Sequence, residues 1–313
     1  MTSGHGHVAV TPPGHLLPGF EVPAGLARNV ADDEEHGPAR RAWLEALPRT
    51  VAGLADRWSL RVGQPFQPGG NASWVAPVLD VAGQRLVLKA GWRHEEAEHE
   101  ADGLRAWNGR GAVRVFRSRA TRDTSALLLE ACEPGTPLER ALPPREQDVV
   151  VSGLLRRLWI EPPTGHPFGS LAGMCERWAG EFERRYAAAR GSDVLDPGVA
   201  RAGIELFRLL PVTAGRQVLL CTDLHPGNVL SAAREPWLVI DPKPHAGDPA
   251  YDALQHMLNF PGHLAGDPGG FADRMAGLLD LDAGRLRSWL FARCVQESVG
   301  VPHLRAAAIQ LAP

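Results

Sequence analysis

The chain has 313 residues, 44% of them hydrophobic and 22% charged, enough to bury a sizeable core, and its length alone suggests about two lobes. A formal net charge of -3 offers no basic face of the kind a nucleic-acid partner requires. Cys132, Cys175, Cys221 and Cys294 lie far apart without Cys-x-x-Cys spacing, which argues against a zinc site or a disulfide framework and for reduced thiols in a cytoplasmic protein.

No apolar run approaches the ~18 residues of a membrane span. The start of the chain carries His5, His7 and His15 among Gly and Pro, without the basic opening and apolar centre of a signal peptide, so a cytoplasmic location is expected. Residues 1–38 show no sustained period and read as an irregular lead-in. From Ala42 to Trp58, Leu44, Leu47, Val51, Leu54 and Trp58 step by three and four, one face of a helix. Pro48 inside that run is expected to kink it or to open a second helix.

A strand-rich stretch follows. Ser73–Val81 and Gln84–Ala90 read as paired strands joined at Ala82-Gly83. Gly69 and Gly70 just before them fit a turn covering nucleotide phosphates and a plain loop about equally well. Lys89 ends the apolar run Leu86-Val87-Leu88. Trp92–Trp107 reads as a polar helix in which Glu100 points inward, because Leu104 and Trp107 follow at four and seven residues on the same face. Glu96 is the runner-up. Ala112–Arg119 and Ser125–Glu130 read as two further strands, and Glu130-Ala131-Cys132-Glu133 leads into the break at Pro134-Gly135.

From Glu146 the period becomes helical, with Val149, Val150, Gly153, Leu154 and Leu158 forming one stripe, Met174–Arg190 a second and Val199–Leu210 a third. Trp159, Trp178 and Phe182 read as packing aromatics. In the tail, Leu286, Leu290, Phe291, Cys294 and Val295 are expected to point inward. Asp267, Asp273, Asp280, Asp282 and Glu297 could line a pocket for ammonium groups or cap helices.

The most informative stretch is Leu219–Leu230, followed by Trp237-Leu238-Val239-Ile240-Asp241. Asp223 and Asn228 stand five positions apart between two short apolar runs, and a further run delivers Asp241. Kinase chemistry needs one carboxylate to orient and deprotonate an attacking hydroxyl, then an amide oxygen and a second carboxylate to hold Mg²⁺ against a triphosphate. Asp223, Asn228 and Asp241 match those roles in that order. With this motif downstream, Lys89 suits a clamp on the donor phosphates and Glu100 the carboxylate that holds it. His225 and Lys243 lie beside the motif and could touch phosphate or substrate. Asp248 before Pro249 reads as a helix N-cap.

The run Cys221-Thr222-Asp223-Leu224-His225-Pro226-Gly227-Asn228-Val229-Leu230, with Glu235-Pro236-Trp237-Leu238-Val239-Ile240-Asp241-Pro242-Lys243 and Gly247-Asp248-Pro249-Ala250-Tyr251-Asp252, resembles the aminoglycoside phosphotransferases, in particular the streptomycin 6-phosphotransferase and hydroxyurea phosphotransferase branch. The resemblance is strong from about Gln84 to Asp252. Many relatives carry His-Gly before the catalytic Asp, where this chain has Cys221-Thr222.

The resemblance implies an α+β, bilobal protein-kinase-like fold, with a small mixed-sheet N-lobe over 39–131 and a mainly helical C-lobe over 132–313. It implies ATP and Mg²⁺, and backbone contacts to adenine near Glu130 and Cys132. Ser73, which opens the first hairpin, joins the donor-binding candidates. Asp252 resembles the family aspartate that braces the catalytic loop, and with His225, Lys243 and Glu297 it completes the residues expected near the substrate. The implied reaction is transfer of the γ-phosphoryl of ATP to an aminoglycoside hydroxyl, with the streptomycin 6-hydroxyl first, by a monomer or homodimer. Hydroxyurea or another metabolite as acceptor, and nucleotide binding without transfer, are the competing readings. A protein kinase is disfavoured because the roughly seventy residues after Asp241 contain no Ala-Pro-Glu segment.

Overall fold

The computed structural model describes residues 19–33, 36–94, 97–189 and 194–313. They group into two compact units, one taking Met1–Glu95 with Val115–Ala131 and the other Glu96–Arg114 with Cys132–Pro313. His5, His7, His15, Glu95 and Glu96 lie outside the described residues.

The first unit is built on an antiparallel sheet of β1 (Arg61–Val62), β2 (Ser73–Leu79), β3 (Arg85–Trp92), β4 (Val115–Ala120) and β5 (Thr124–Glu130), in the order β1-β2-β3-β5-β4. The β2–β3 hairpin forms where the sequence placed it, because Asp80 Oδ1 accepts from the N–H groups of Ala82 and Gln84 while Gly83 takes φ +79. Such an Asx-turn beside a left-handed glycine closes a tight hairpin. Strand β3 continues past Lys89 to Trp92, so this lysine sits mid-strand at the centre of the sheet, opposite Val75 on one side and Leu127 on the other. The expectation that Lys89 ends the strand is corrected accordingly.

Leu86, Leu88 and Ala90 alternate with Lys89, and they join Trp74, Ala76 and Val78 in a core with Trp43, Leu47, Val51, Leu54 and Trp58. Those last five residues are one face of a helix that begins at Gly37 and runs through Pro48 to Trp58 as a single element, so of the two outcomes expected at Pro48 a second helix start does not occur. A proline costs the helix one hydrogen bond, and burial of this apolar face outweighs it. The lead-in is not irregular throughout, since Ala24–Ala31 is a helix that buries Leu26 and Val30. Its partner is the loop before β2. Gly25 N–H donates to Pro68 O at 2.8 Å. Gly69, at φ +87, lies so close to Pro23 that a Cβ would collide with that ring. Close packing of this loop against the start of the first helix is thus one reason for a glycine at position 69.

The second unit carries most of the helices. Glu100–Trp107 belongs to it, because the Trp107 indole donates to Leu158 O at 2.8 Å and Gly103 is packed against Pro244 with no room for a Cβ. The helix expected from Trp92 begins only at Glu100. The three stripes become helices Pro144–Leu158, Leu171–Ala188 and Pro197–Leu209. In the first of them the buried face runs through Gln147, Asp148, Val151, Leu154, Leu155 and Leu158, and Val149 is 53% exposed. Asp148 sets this rotation: it bonds His256 and Arg274 inside the core.

The tail forms helices Pro268–Leu279, Ala283–Gln296 and Pro302–Leu311, with Leu286, Leu290, Phe291, Cys294 and Val295 all buried as expected. Asp267 and Asp282 cap the first two of these through Gly270 N–H and Arg285 N–H, and Asp273 pairs with Arg287. Between the helical stripes and the tail lie β7 (Val218–Leu220), β8 (Val229–Ser231), β9 (Trp237–Val239) and β10 (His245–Gly247). β10 pairs with β7, and also with β6 (Gly169–Ser170), while β8 pairs with β9. No helix among the described residues is long and apolar enough to cross a membrane.

Candidate active site

The site grows from the two short strand pairs. Strand β7 buries Val218, Leu219 and Leu220, and the chain then turns at Cys221, itself fully buried. Thr222 takes φ +53, a conformation that costs a β-branched residue about 1–3 kcal/mol unless the surroundings hold it. They do. Thr222 N–H donates to Asp252 Oδ1 at 2.6 Å and its hydroxyl to Lys243 O at 2.5 Å. Cys221 N–H donates to Asp252 Oδ2 at 3.0 Å, and Lys243 N–H to Cys221 O at 2.9 Å.

The next turn is capped by His225, whose Nδ1 accepts from Gly227 N–H at 3.2 Å, and it ends at Asn228. There the Nδ2 group donates to Asp223 O at 3.0 Å. Because that partner is a carbonyl, the amide nitrogen must face it, leaving Oδ1 as the end able to meet a cation. Pairing of Val229 with Val239 and a bond from Ile240 N–H to Asn228 O at 2.9 Å place Asn228 beside the end of β9. The residue that follows Ile240 is Asp241, at φ +53. Asp223 and Asn228 share one loop, and the hairpin that follows brings the backbone leading into Asp241 back beside it.

Electrostatics sort these groups. Lys243 Nζ lies 3.0 Å from Asp223 Oδ2. Burial holds the His225 imidazole below its ordinary range, against the opposing pull of Asp223, Glu139 and Asp241, in keeping with an Nδ1 that accepts a hydrogen bond. Burial pushes the Asp252 carboxyl up to about 6, even though Cys221 N–H, Thr222 N–H and the Trp159 indole all donate to it. Burial likewise raises the Cys221 thiol, which makes it a packing group rather than a nucleophile. Among the described residues no three His, Cys, Asp or Glu side chains cluster to hold a metal alone. An amide oxygen beside a carboxylate is a hard donor pair that suits magnesium when phosphate oxygens complete its shell.

Residues 57–302 match the family described as aminoglycoside/hydroxyurea antibiotic resistance kinase. The chain belongs to this family. It is 38% identical to a hydroxyurea phosphotransferase of Kitasatospora aureofaciens over 88% of this chain and 78% of that one. It is also 34% identical to a streptomycin 6-kinase of Streptomyces glaucescens over 93% of this chain and 96% of that one. A choline kinase of Streptococcus pneumoniae shares its fold at TM-score 0.55 and 11% identity, covering 84% of this chain and 95% of that one. So does a macrolide 2′-phosphotransferase of Brachybacterium faecium, at 0.53 and 18%, covering 86% and 98%. The kinase-like fold expected from the sequence is the fold observed, and the protein is a small-molecule kinase.

The remaining candidates of this antibiotic resistance kinase are distributed as follows. Lys89, Ser73 and Glu130 lie in the first unit; Glu100 and Cys132 lie in the second. Lys89 is 8% exposed and shares a sheet face with Val75 and Ser73, opposite the face packed on the Gly37–Trp58 helix. Glu100 opens its helix and is 3% exposed, as its inward reading requires. Asp252, expected near substrate, is fully buried with both oxygens taken, so it braces the loop and meets no acceptor. Glu297 holds Arg293 at 2.7 Å from the end of its helix. Asp248 caps the helix Pro249–Asp252 through Ala250 N–H and also takes Arg285 at 2.7 Å and the Trp289 indole at 2.6 Å. Sequence reasoning did not assign Trp159 and Thr222. Trp159 was read as packing alone, and the left-handed turn at Thr222 left no signal except its unusual residue.

Proposed function

We propose that this kinase transfers the γ-phosphoryl group of ATP to a hydroxyl of an aminoglycoside, with the 6-hydroxyl of streptomycin as the first acceptor to test. The observation that supports this reading is the braced loop carrying Asp223 and Asn228, to which the strand leading into Asp241 is joined through Ile240 N–H and Asn228 O. Asp223 orients the acceptor hydroxyl and takes its proton. Asn228 and Asp241 would hold Mg²⁺, which supplies charge neutralisation on the phosphates when bound. Lys89, with its fixed charge on a rigid central strand, binds the donor phosphates. Ser73 and the backbone near Glu130 and Cys132 complete the donor contacts.

Hydroxyurea is the second acceptor, favoured by the 38% identity to a hydroxyurea phosphotransferase; its N-hydroxyl presents the same kind of nucleophile. ADP release and product mass, measured with streptomycin, other aminoglycosides and hydroxyurea, distinguish these readings. A mass gain of one phosphoryl group on streptomycin is the expected result. Nucleotide binding with no acceptor-dependent ADP release would overturn the reading. Asp223→Ala should lower turnover by roughly 10²–10⁴-fold while nucleotide binding persists, and near-normal turnover in that variant would remove Asp223 from the role of base.

A further inference from the structure

Phosphoryl transfer builds negative charge on the moving group just as the acceptor proton leaves, and a cation on the acceptor side is most useful at that moment. His225 follows Asp223 by two residues but does not supply one. Its Nδ1 accepts a hydrogen bond from Gly227 N–H, and a protonated imidazole has no acceptor nitrogen. Lys243 is different. Its ammonium lies 3.0 Å from Asp223 Oδ2, and its backbone is clamped on both sides. Its N–H donates to Cys221 O at 2.9 Å and its carbonyl accepts from Thr222 Oγ1 at 2.5 Å. His245 Nδ1 also approaches that carbonyl at 3.1 Å. Gly103 presses on the adjoining Pro244.

Thr222 holds this clamp from a left-handed conformation that a β-branched side chain seldom adopts. Strain of that kind persists where the surroundings fix it and often marks function.

We propose that Lys243 is a further catalytic residue, whose ammonium passes from the Asp223 carboxylate to the transferring phosphoryl group, and that Thr222 is the positioning residue that presents it. The proposal rests on the phosphotransfer reading above. In the step, the acceptor oxygen forms a bond to the γ-phosphorus. The bond from that phosphorus to the oxygen bridging the β-phosphate breaks, and its electron pair stays on ADP. The hydroxyl proton goes to Asp223. Once protonated, Asp223 no longer attracts the ammonium, while the phosphoryl oxygens do, so Lys243 keeps its proton and changes partner. Its interaction is stronger in the transition state than before it, which is the condition for raising kcat rather than only lowering KM.

The test uses the full chain and two readouts. In steady-state transfer, Lys243→Gln should lower kcat about 10²-fold with the donor KM within about threefold, and Lys243→Arg should recover part of the loss. Thr222→Val should lower kcat about tenfold, whereas Thr222→Ser, which keeps the hydroxyl, should stay within about twofold. In nucleotide binding, wild-type protein should hold ADP with aluminium fluoride, a mimic of the moving phosphoryl group, more tightly than ADP alone. Lys243→Gln should lose most of that gain and keep its affinity for ADP.

Retention of kcat within threefold in Lys243→Gln, an equal loss of ADP affinity, or an undiminished fluoride effect would overturn the role of Lys243. Equal turnover in Thr222→Val and wild type would overturn that of Thr222. Should wild-type protein phosphorylate no acceptor, the phosphotransfer reading falls, and the fluoride comparison still decides Lys243 by itself.

Discussion

Two aspartates of the second unit are withdrawn from water, and the protein treats their charges in opposite ways. Asp252 is surrounded by neutral donors, the N–H groups of Cys221 and Thr222 and the Trp159 indole, and burial pushes its carboxyl up to about 6. Asp148 is as deeply buried, with His256 Nε2 at 2.9 Å from one oxygen and Arg274 Nε at 2.8 Å from the other. Burial raises it too, but the hydrogen bonds from His256 and Arg274 together hold it below its ordinary range. The first arrangement fixes backbone at the catalytic loop. The second ties Pro144–Leu158 to the segments that carry His256 and Arg274, and it touches none of the reacting groups. A buried carboxylate met by a guanidinium and an imidazole serves packing here, whereas one held only by N–H dipoles of the backbone and an indole shapes a site.

That contrast is most easily broken at Asp148. Asp148→Ala leaves the buried His256 ring and the half-buried Arg274 guanidinium without their shared carboxylate, and two donors losing a buried acceptor cost about 3 kcal/mol. The midpoint of denaturant unfolding should fall accordingly, while kcat per folded molecule stays within about twofold of wild type. A large loss of kcat at unchanged stability would mean that this cluster serves the site after all.

At Asp252 the expected loss is reversed in kind. Asp252→Asn keeps the size of the side chain but sets an amide N–H₂ against partners that are all donors. The resulting loss, about 2 kcal/mol for an imperfectly met buried network, should appear as a fall of roughly thirtyfold in kcat, with ADP affinity little changed. Equal losses in ADP affinity and turnover would place Asp252 in donor binding instead of loop bracing.

The same contrast marks what the sequence could and could not display. Asp223, Asn228 and Asp241 were legible because a loop of fixed length between two apolar strands determines their spacing, and the β2–β3 hairpin was legible because Asp80 and Gly83 are local signals. The Asp148 cluster was not. Its partners lie more than a hundred residues away in sequence, and hydrophobic periodicity weighs only the apolar residues, which is why the stripe through Val149 is expected inward although the buried face also takes in Gln147 and Asp148. Lys89 reads as a strand end because the apolar run Leu86-Val87-Leu88 stops before it, yet pairing on both sides carries β3 on through Gly91 and Trp92. The brace from Trp159 to Asp252 likewise spans 93 positions. The helix Ala24–Ala31 starts without a capping side chain and is held by packing that only the fold reveals.

The smallest expected effect is a pH dependence whose sign differs between the two aspartates. The Asp148 carboxyl lies below its unfolded value of 3.8, so its stabilisation is complete above that value and is lost as pH falls through the lower, folded one. Asp252 lies above 3.8, at about 6. Between those values the folded state binds the extra proton, so stability declines as pH rises toward 6 and levels off beyond it. Turnover should follow the opposite course, because a proton on Asp252 has no acceptor among the Cys221, Thr222 and Trp159 donors and weakens their hold on the loop. A fewfold fall in kcat below about pH 6 is therefore expected in wild type and absent in Asp252→Asn, whose amide does not titrate. An acid limb that survives unchanged in the variant would assign that titration to another group and leave Asp252 as a brace whose charge does not matter.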